Sequence, residues 1–456
     1  MKYDHGTVDG TSIGRCINGG TLDRLKDTYI ARATRAIERS LRDARLQLEG
    51  ADPDSRAAQL PQYIEILQSC RSGRAITKDE YEHGTWNSPT DKFVICSSVE
   101  AKDLLASASP RLPIFVPAEL NLDFERRLSL DQYLDFLETQ ANVDVHVFDD
   151  RIPRGAVIRP RRMAPGRARE LLHDGTRGPV NLLSLKGHKK NPDPSCFLDL
   201  PGYTVLEDIQ GHPDSIRPST DLRMNITFQL CGKKGAFSMP HIDHHGFITA
   251  VFNDEGEKLW PLWPGIGLHE LRLWAESGHL PPSPSVGIYL YPGCLLIQPS
   301  GMLHAPYSIT TVLMSGVNYW CSRDMLHVML LSRLEAEHPH MTNEDMAQEF
   351  LPKVSRIRDL WKSNSPAWPW GGANELAQFS GLVEWFLPPR RKGLCLPVPS
   401  GKEVQEALAR LHFRGRIGTG VKYWLGEWKR SGGVFRRREL AFWDLAMRMR
   451  DATMRV

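Results

Sequence analysis

His241 and Asp243 lie two residues apart in Ser238-Met-Pro-His-Ile-Asp243. Sixty-one residues after that aspartate, His304 follows in Pro-Ser-Gly-Met-Leu-His-Ala-Pro. Residues i and i+2 of a strand point to the same side, so His241 and Asp243 share one face and Ile242 takes the other. The flanks read as strand, with Ala-Phe-Ser-Met before and Gly-Phe-Ile-Thr-Ala-Val-Phe after. Two imidazoles and a carboxylate are a donor set for a divalent iron, gripped on one face with three octahedral positions open. If all three hold one ion, the chain must leave the first pair and return beside it, which excludes most folds. His-x-Asp alone is weak, and a turn with polar side chains is the plainer reading of that tripeptide.

Three further segments strengthen the pattern. Glu255-Gly-Glu-Lys258-Leu-Trp260-Pro-Leu-Trp-Pro is a short apolar strand with one lysine, and an inward lysine needs an anion to offset its desolvation. Val286 to His304 reads as strand, Pro292-Gly293 turn, apolar strand, Pro-Ser-Gly turn, then histidine. Leu313-Met-Ser-Gly-Val-Asn318-Tyr-Trp-Cys321 is another strand with a polar residue among apolar ones.

Together these segments resemble the JmjC (cupin-like) family of iron- and 2-oxoglutarate-dependent oxygenases, over roughly residues 93–323 and most densely over 225–321. The resemblance implies an α+β fold: a double-stranded β-helix (jelly-roll) barrel with helical regions before and after it. It implies that His241, Asp243 and His304 bind Fe(II). Lys258, seventeen residues after His241, would bind the distal carboxylate of 2-oxoglutarate. Ser238 would help hold that carboxylate, and Asn318, fourteen residues after His304, would lie beside the cosubstrate. A fixed cation suits a dianion, and the remaining open position suits dioxygen. The implied reaction is oxidative decarboxylation to succinate coupled to hydroxylation of a substrate C–H, which on an N-methyl group gives demethylation. The aromatic partner of the distal carboxylate has no assigned position.

Other readings of these histidines stay open. His241 and His304 could be core histidines of a barrel without metal. His244 and His245 could join His241 in a zinc cluster, although strand or rim positions suit them better; by alternation His245 would face the cavity and touch substrate. His269 and His279 belong to no motif and read as surface.

The remaining sequence sets the surroundings. Residues 1–90 read as an N-terminal helical region, with apolar positions from Leu22 to Leu46 at helical spacing and a second short helix over Leu60 to Cys70. Residues 91–330 form the expected catalytic domain, entered by strands at 93–97 and 113–118, a helix capped by Ser129, and a strand at 143–148. Residues 331–456 read as a helical, basic region, with helices expected at 324–334, 343–361, 372–386 and 403–413. There is no run of eighteen apolar residues to cross a membrane, and the first residues lack a secretory apolar stretch. Eight cysteines without a Cys-x-x-Cys fit neither a zinc finger nor a disulfide scaffold. The expected location is therefore intracellular, nuclear or cytoplasmic.

Charge is unevenly placed. The net charge is +3, yet residues 390–456 carry sixteen Lys or Arg against six Asp or Glu, interleaved with aromatics such as Trp424, Trp428 and Phe435. Residues 151–169 hold seven arginines. Both stretches suit phosphate contacts with ring stacking; a solvated basic face is the plainer alternative. The expected partner is a protein substrate, with chromatin one candidate and nucleic acid a further contact. Oligomeric state is not legible. Two alternatives remain: an oxygenase acting on nucleic acid or a small molecule, and a catalytically silent binding module of the same fold.

Overall fold

The computed structural model describes residues 19–84, 88–140, 142–150, 160–188, 193–210, 226–281, 284–343, 346–347, 349–363 and 371–387. The chain divides into two compact units, 1–379 and 380–456, and the barrel lies wholly in the first. The helix expected at 403–413 and the basic stretch 390–456 lie outside the described residues, as do residues 151–159 of the arginine-rich stretch.

The described helices are α1 (Gly19–Glu49), α2 (Leu60–Ser69), α3 (Lys78–Glu82), α4 (Ser98–Ser107), α5 (Leu130–Glu138), α6 (Pro165–His173), α7 (Val205–Gln210), α8 (Leu268–Ser277), α9 (Met325–Glu337), α10 (Phe350–Lys362) and α11 (Ala373–Phe386). The strands are β1 (Arg74–Ile76), β2 (Lys92–Ile95), β3 (Ile114–Val116), β4 (Val143–Val147), β5 (Arg161–Met163), β6 (Val180–Lys186), β7 (Thr227–Gly232), β8 (Ile248–Glu255), β9 (Lys258–Leu262), β10 (Val286–Leu290), β11 (Leu295–Gln298), β12 (Tyr307–Ser308) and β13 (Val312–Tyr319).

The barrel is a two-stranded ribbon wound on itself. From β7 to β9 the chain runs one way; from β10 to β13 it returns antiparallel. Leu290 pairs with Lys258, Gln298 with Thr249, His304 with His241, and Val312 with Gly232. Each pair is centred on α8, the tip of the ribbon. Winding adds a second set of antiparallel pairs, β13 with β8 and β12 with β9. One face becomes β11-β8-β13-β7, inside a ten-stranded sheet of order β1-β2-β3-β11-β8-β13-β7-β6-β4-β5. The other is β10-β9-β12, extended by bridges from Phe237 to Tyr307 and from His241 to His304. This is the double-stranded β-helix. The fold is α+β, as the sequence implied.

Local chemistry explains the elements around it. Ser129 accepts the backbone N–H of Gln132 and the Gln132 side chain answers at the Ser129 N–H, a capping box that starts α5. Ser97 and Glu100 do the same for α4. In α1 the apolar positions Tyr29, Ala33 and Ile37 are buried, whereas Leu46 is 60% exposed, because the helix outruns the surface it covers. The Tyr29 hydroxyl accepts the Tyr289 N–H on β10, and the Tyr63 hydroxyl of α2 donates to the Ala305 carbonyl, 2.6 Å away and one residue beyond His304. The helix pair thus packs on the sheet that carries the histidines. The helix expected at 343–361 begins only at Phe350.

Candidate metal centre and cavity

His241 and His304 are cross-strand partners. Each backbone N–H donates to the other's carbonyl, at 3.0 and 2.9 Å, and their rings lie 4.2 Å apart. A second symmetry sits in the side chains. His241 Nδ1 is 2.8 Å from the Met239 carbonyl and His304 Nδ1 is 2.9 Å from the Met302 carbonyl. A carbonyl only accepts, so Nδ1 carries the proton in both rings and each Nε2 keeps its lone pair. Burial pushes His241 down to about 3, helped by His304, and His304 down to about 4. Both rings are therefore neutral near pH 7, the form that binds metal.

Asp243 completes the group. One ligand atom from each of His241, Asp243 and His304 lies within 4.8 Å of the others. Asp243 Oδ1 is 3.7 Å from His304 Nε2, and Oδ2 accepts the Thr249 hydroxyl at 2.5 Å. The Asn318 amide lies 3.0 Å from that hydroxyl. A hydroxyl has one proton, and here the carboxylate takes it, so the amide suits Thr249 best with its NH2 turned inward.

The turn after Asp243 departs from simple alternation. His244–Gly246 form a 3-10 turn, and His245 and Gly246 both adopt left-handed backbone, φ +57 and +58. Regular alternation would turn His245 toward the cavity, the less favoured of the two readings of this residue. It faces away: the turn breaks the strand after Asp243, and its Nε2 accepts the Ala347 N–H beside Phe350. His244 borders the cavity instead. A positive φ is costly for histidine, and four hydrogen bonds from three side chains hold the turn. The Glu335 carboxylate of α9 accepts the N–H groups of His245 and Gly246, Trp320 Nε1 donates to the His245 carbonyl, and the Ser300 hydroxyl donates to the Gly246 carbonyl. A Cβ on Gly246 would meet the Val328 Cα at 3.0 Å, and one on Gly301 would meet Leu331 Cδ2 at 2.8 Å. α9 therefore presses on the turns leading out of Asp243 and into His304.

All six residues singled out in the sequence line one cavity of about 340 Å³ between the two faces of the barrel: Ser238, His241, Asp243, Lys258, His304 and Asn318. Lys258 is 2% exposed, with its ammonium 5.5 Å from the Trp260 ring centre. Among the described residues no carboxylate lies within ion-pair distance of it. Burial pushes its pKa down to about 7. Trp260 stacks on His304 at 5.5 Å and donates its Nε1–H to Gln298 Oε1. Thr249, Gln298 and Glu335 were not singled out in the sequence. Gln298 shows as the one polar residue of an apolar strand and Thr249 as a polar residue at the start of an apolar run; Glu335 carries no such signal.

The lining also includes β4, whose Asp144 and His146 both border the cavity. Asp144 is exposed. His146 Nδ1 is 2.5 Å from Arg56 Nη1, and the guanidinium lies 5.0 Å from the Phe148 ring centre. Burial and Arg56 together hold His146 down to about 3. Of the arginines described within 151–169, Arg161 pairs with Asp150, Arg167 with Glu170, and Arg169 with Asp135 and Glu138. These pairings lower the free positive charge that stretch offers. No helix of the described residues is long and apolar enough to cross a membrane.

No protein-family model matches the sequence, and no curated protein matches it. The solved structure of YcfD, a ribosomal oxygenase from Escherichia coli in complex with cobalt and succinic acid, is similar to this chain at 14% identity and a TM-score of 0.29, over 68% of this chain and 77% of that one. A likeness of that size carries no argument. The fold stands on strand order and register, and the site on its own distances.

Proposed function

We propose that this protein is an Fe(II)- and 2-oxoglutarate-dependent oxygenase of the JmjC kind, acting on a protein side chain by hydroxylation or N-demethylation. The observation that carries it is the pairing, in one cavity, of a two-histidine, one-carboxylate cluster with a buried lysine. The donor set fits the metal: two neutral imidazoles with Nε2 free and a carboxylate whose second oxygen is already held. The lysine fits a dianion, since without an anion it is a buried cation. Iron with 2-oxoglutarate, when bound, supplies oxidative decarboxylation to succinate and oxidation of a substrate C–H.

The chain's own residues then have distinct tasks. His241, Asp243 and His304 hold the metal, and the carbonyls of Met239 and Met302 with the Thr249 hydroxyl fix their orientation. Lys258 anchors the distal carboxylate, with Ser238 and Asn318 beside it. The apolar barrel walls exclude water. Substrate enters past the wall bearing Asp144 and His146. A histone or other chromatin protein is one candidate substrate, and the charge of residues 390–456 suggests an accessory nucleic-acid contact.

The test is succinate release. Iron-loaded protein should convert 2-oxoglutarate to succinate slowly without substrate, and His241→Ala should abolish it. Equal turnover by both would remove the proposal. Metal binding without turnover in any extract would favour a silent binding module.

A further inference from the structure

Gln298 is 1% exposed on β11 and lines the cavity. It follows Leu295, Leu296 and Ile297, all fully buried apolar residues. A carboxamide at such a position must satisfy both ends. One end is settled. Trp260 Nε1–H can only donate, so the atom 2.9 Å from it is the Gln298 oxygen. The orientation of this amide is thus fixed by chemistry. Its Nε2 is left buried with no hydrogen-bond partner among the described residues. The strand partner Thr249 lines the same cavity and holds Asp243. Trp260 joins the groups: its edge binds Gln298, its face stacks on His304, and Lys258 lies against its ring.

A buried donor and a buried cation that line one cavity and share Trp260 as neighbour call for an oxygen anion or carbonyl. We infer that Gln298 is a cosubstrate-positioning residue, its Nε2–H donating to an oxygen of the dicarboxylate that Lys258 anchors. This rests on the proposed function. The lysine contributes charge, and the amide contributes direction, because a point charge alone does not fix the rotation of a flexible dicarboxylate. Trp260 transmits the constraint by locking the amide against the ring that also stacks on a metal-binding histidine.

The test uses cobalt-loaded full-length protein without oxygen, titrated calorimetrically with 2-oxoglutarate. Two variants are compared with wild type. Gln298→Met keeps volume and removes the donor. Gln298→Glu keeps an acceptor for Trp260 and replaces the donor with a second oxygen. Both should bind 2-oxoglutarate roughly ten- to a hundredfold more weakly, with cobalt affinity within about twofold of wild type. The Gln298→Glu deficit should shrink as pH falls toward about 5, because a protonated glutamate regains a donor; a purely structural role would not produce that pH profile. Gln298→Met binding 2-oxoglutarate as tightly as wild type overturns the inference, and an ordered water then satisfies Nε2. Lys258→Ala serves as the reference. If wild type binds no 2-oxoglutarate, or Lys258→Ala binds it normally, the reading of the cavity fails and this inference with it. If both references behave as expected, the fate of the Gln298 variants concerns Gln298 alone.

Discussion

In the proposed function Lys258 anchors the cosubstrate, and burial gives it a pH signature. Its pKa in the free cavity is about 7, pushed down by burial. A bound dianion raises it again. Below about pH 7 the ammonium is already present, so 2-oxoglutarate affinity should be flat. Above it, binding must take up a proton, and affinity should fall by up to about tenfold per pH unit. Lys258→Ala should bind at least roughly thirtyfold more weakly, from the loss of about 2–5 kcal/mol, and lose that dependence. Calorimetry on cobalt-loaded protein from about pH 6 to 9 reads both effects; an equally flat profile in wild type and variant would assign the anchor elsewhere. The sequence pointed to His241, Asp243, His304 and Lys258 through the family resemblance of the segments that carry them, and the structure places all four on one cavity. It did not point to Gln298 and Glu335, since an amide in a strand and a carboxylate on a helix acquire meaning only from what packs against them.

At the scale of elements, α9 braces the candidate metal centre. Its Glu335 is a buried carboxylate that accepts two backbone N–H groups of the turn after Asp243. Burial raises its pKa from 4.5 to about 7, against the pull of those two hydrogen bonds. The native state therefore holds this proton more tightly than the unfolded chain does. Between about pH 4.5 and 7 the contribution of Glu335 to stability falls as pH rises, by on the order of 3 kcal/mol in all. The buried histidines act with the opposite sign: held neutral, they add stability as pH rises toward 6.5. They are common to wild type and Glu335→Gln, so the difference between the two melting curves isolates the glutamate. Glu335→Gln should be less stable than wild type near pH 5 and gain on it steadily up to about pH 7. A constant difference would mean that Glu335 titrates normally. Strand alternation put His245 in the cavity because it assumes regular backbone; two left-handed residues supplied by this turn reverse that face.

Across the whole chain, the resemblance that implied the barrel rested in part on its turns. Pro292-Gly293 and Pro299-Ser-Gly301 separate the returning strands, and the lone histidine after them sits where a wound ribbon brings it against His241. Pairing across the ribbon was less visible, since α8 and its flanking loops divide the two halves. β1, β5 and β6 extend the large sheet through short or irregular pairings, with a register shift in β6 between Leu182 and Leu185, and short strands of this kind leave little periodicity to read. The central claim is that the ribbon brings His241, Asp243 and His304 together to hold one metal ion that 2-oxoglutarate then joins. Titration of metal-free protein with Mn(II), with free ion followed by its paramagnetic resonance signal, tests this directly. Wild type should bind one ion per chain, more tightly with 2-oxoglutarate present, and His304→Ala should show neither behaviour while keeping its fold by circular dichroism. Equal Mn(II) affinity in wild type and His304→Ala, or no binding by folded wild type, would contradict it.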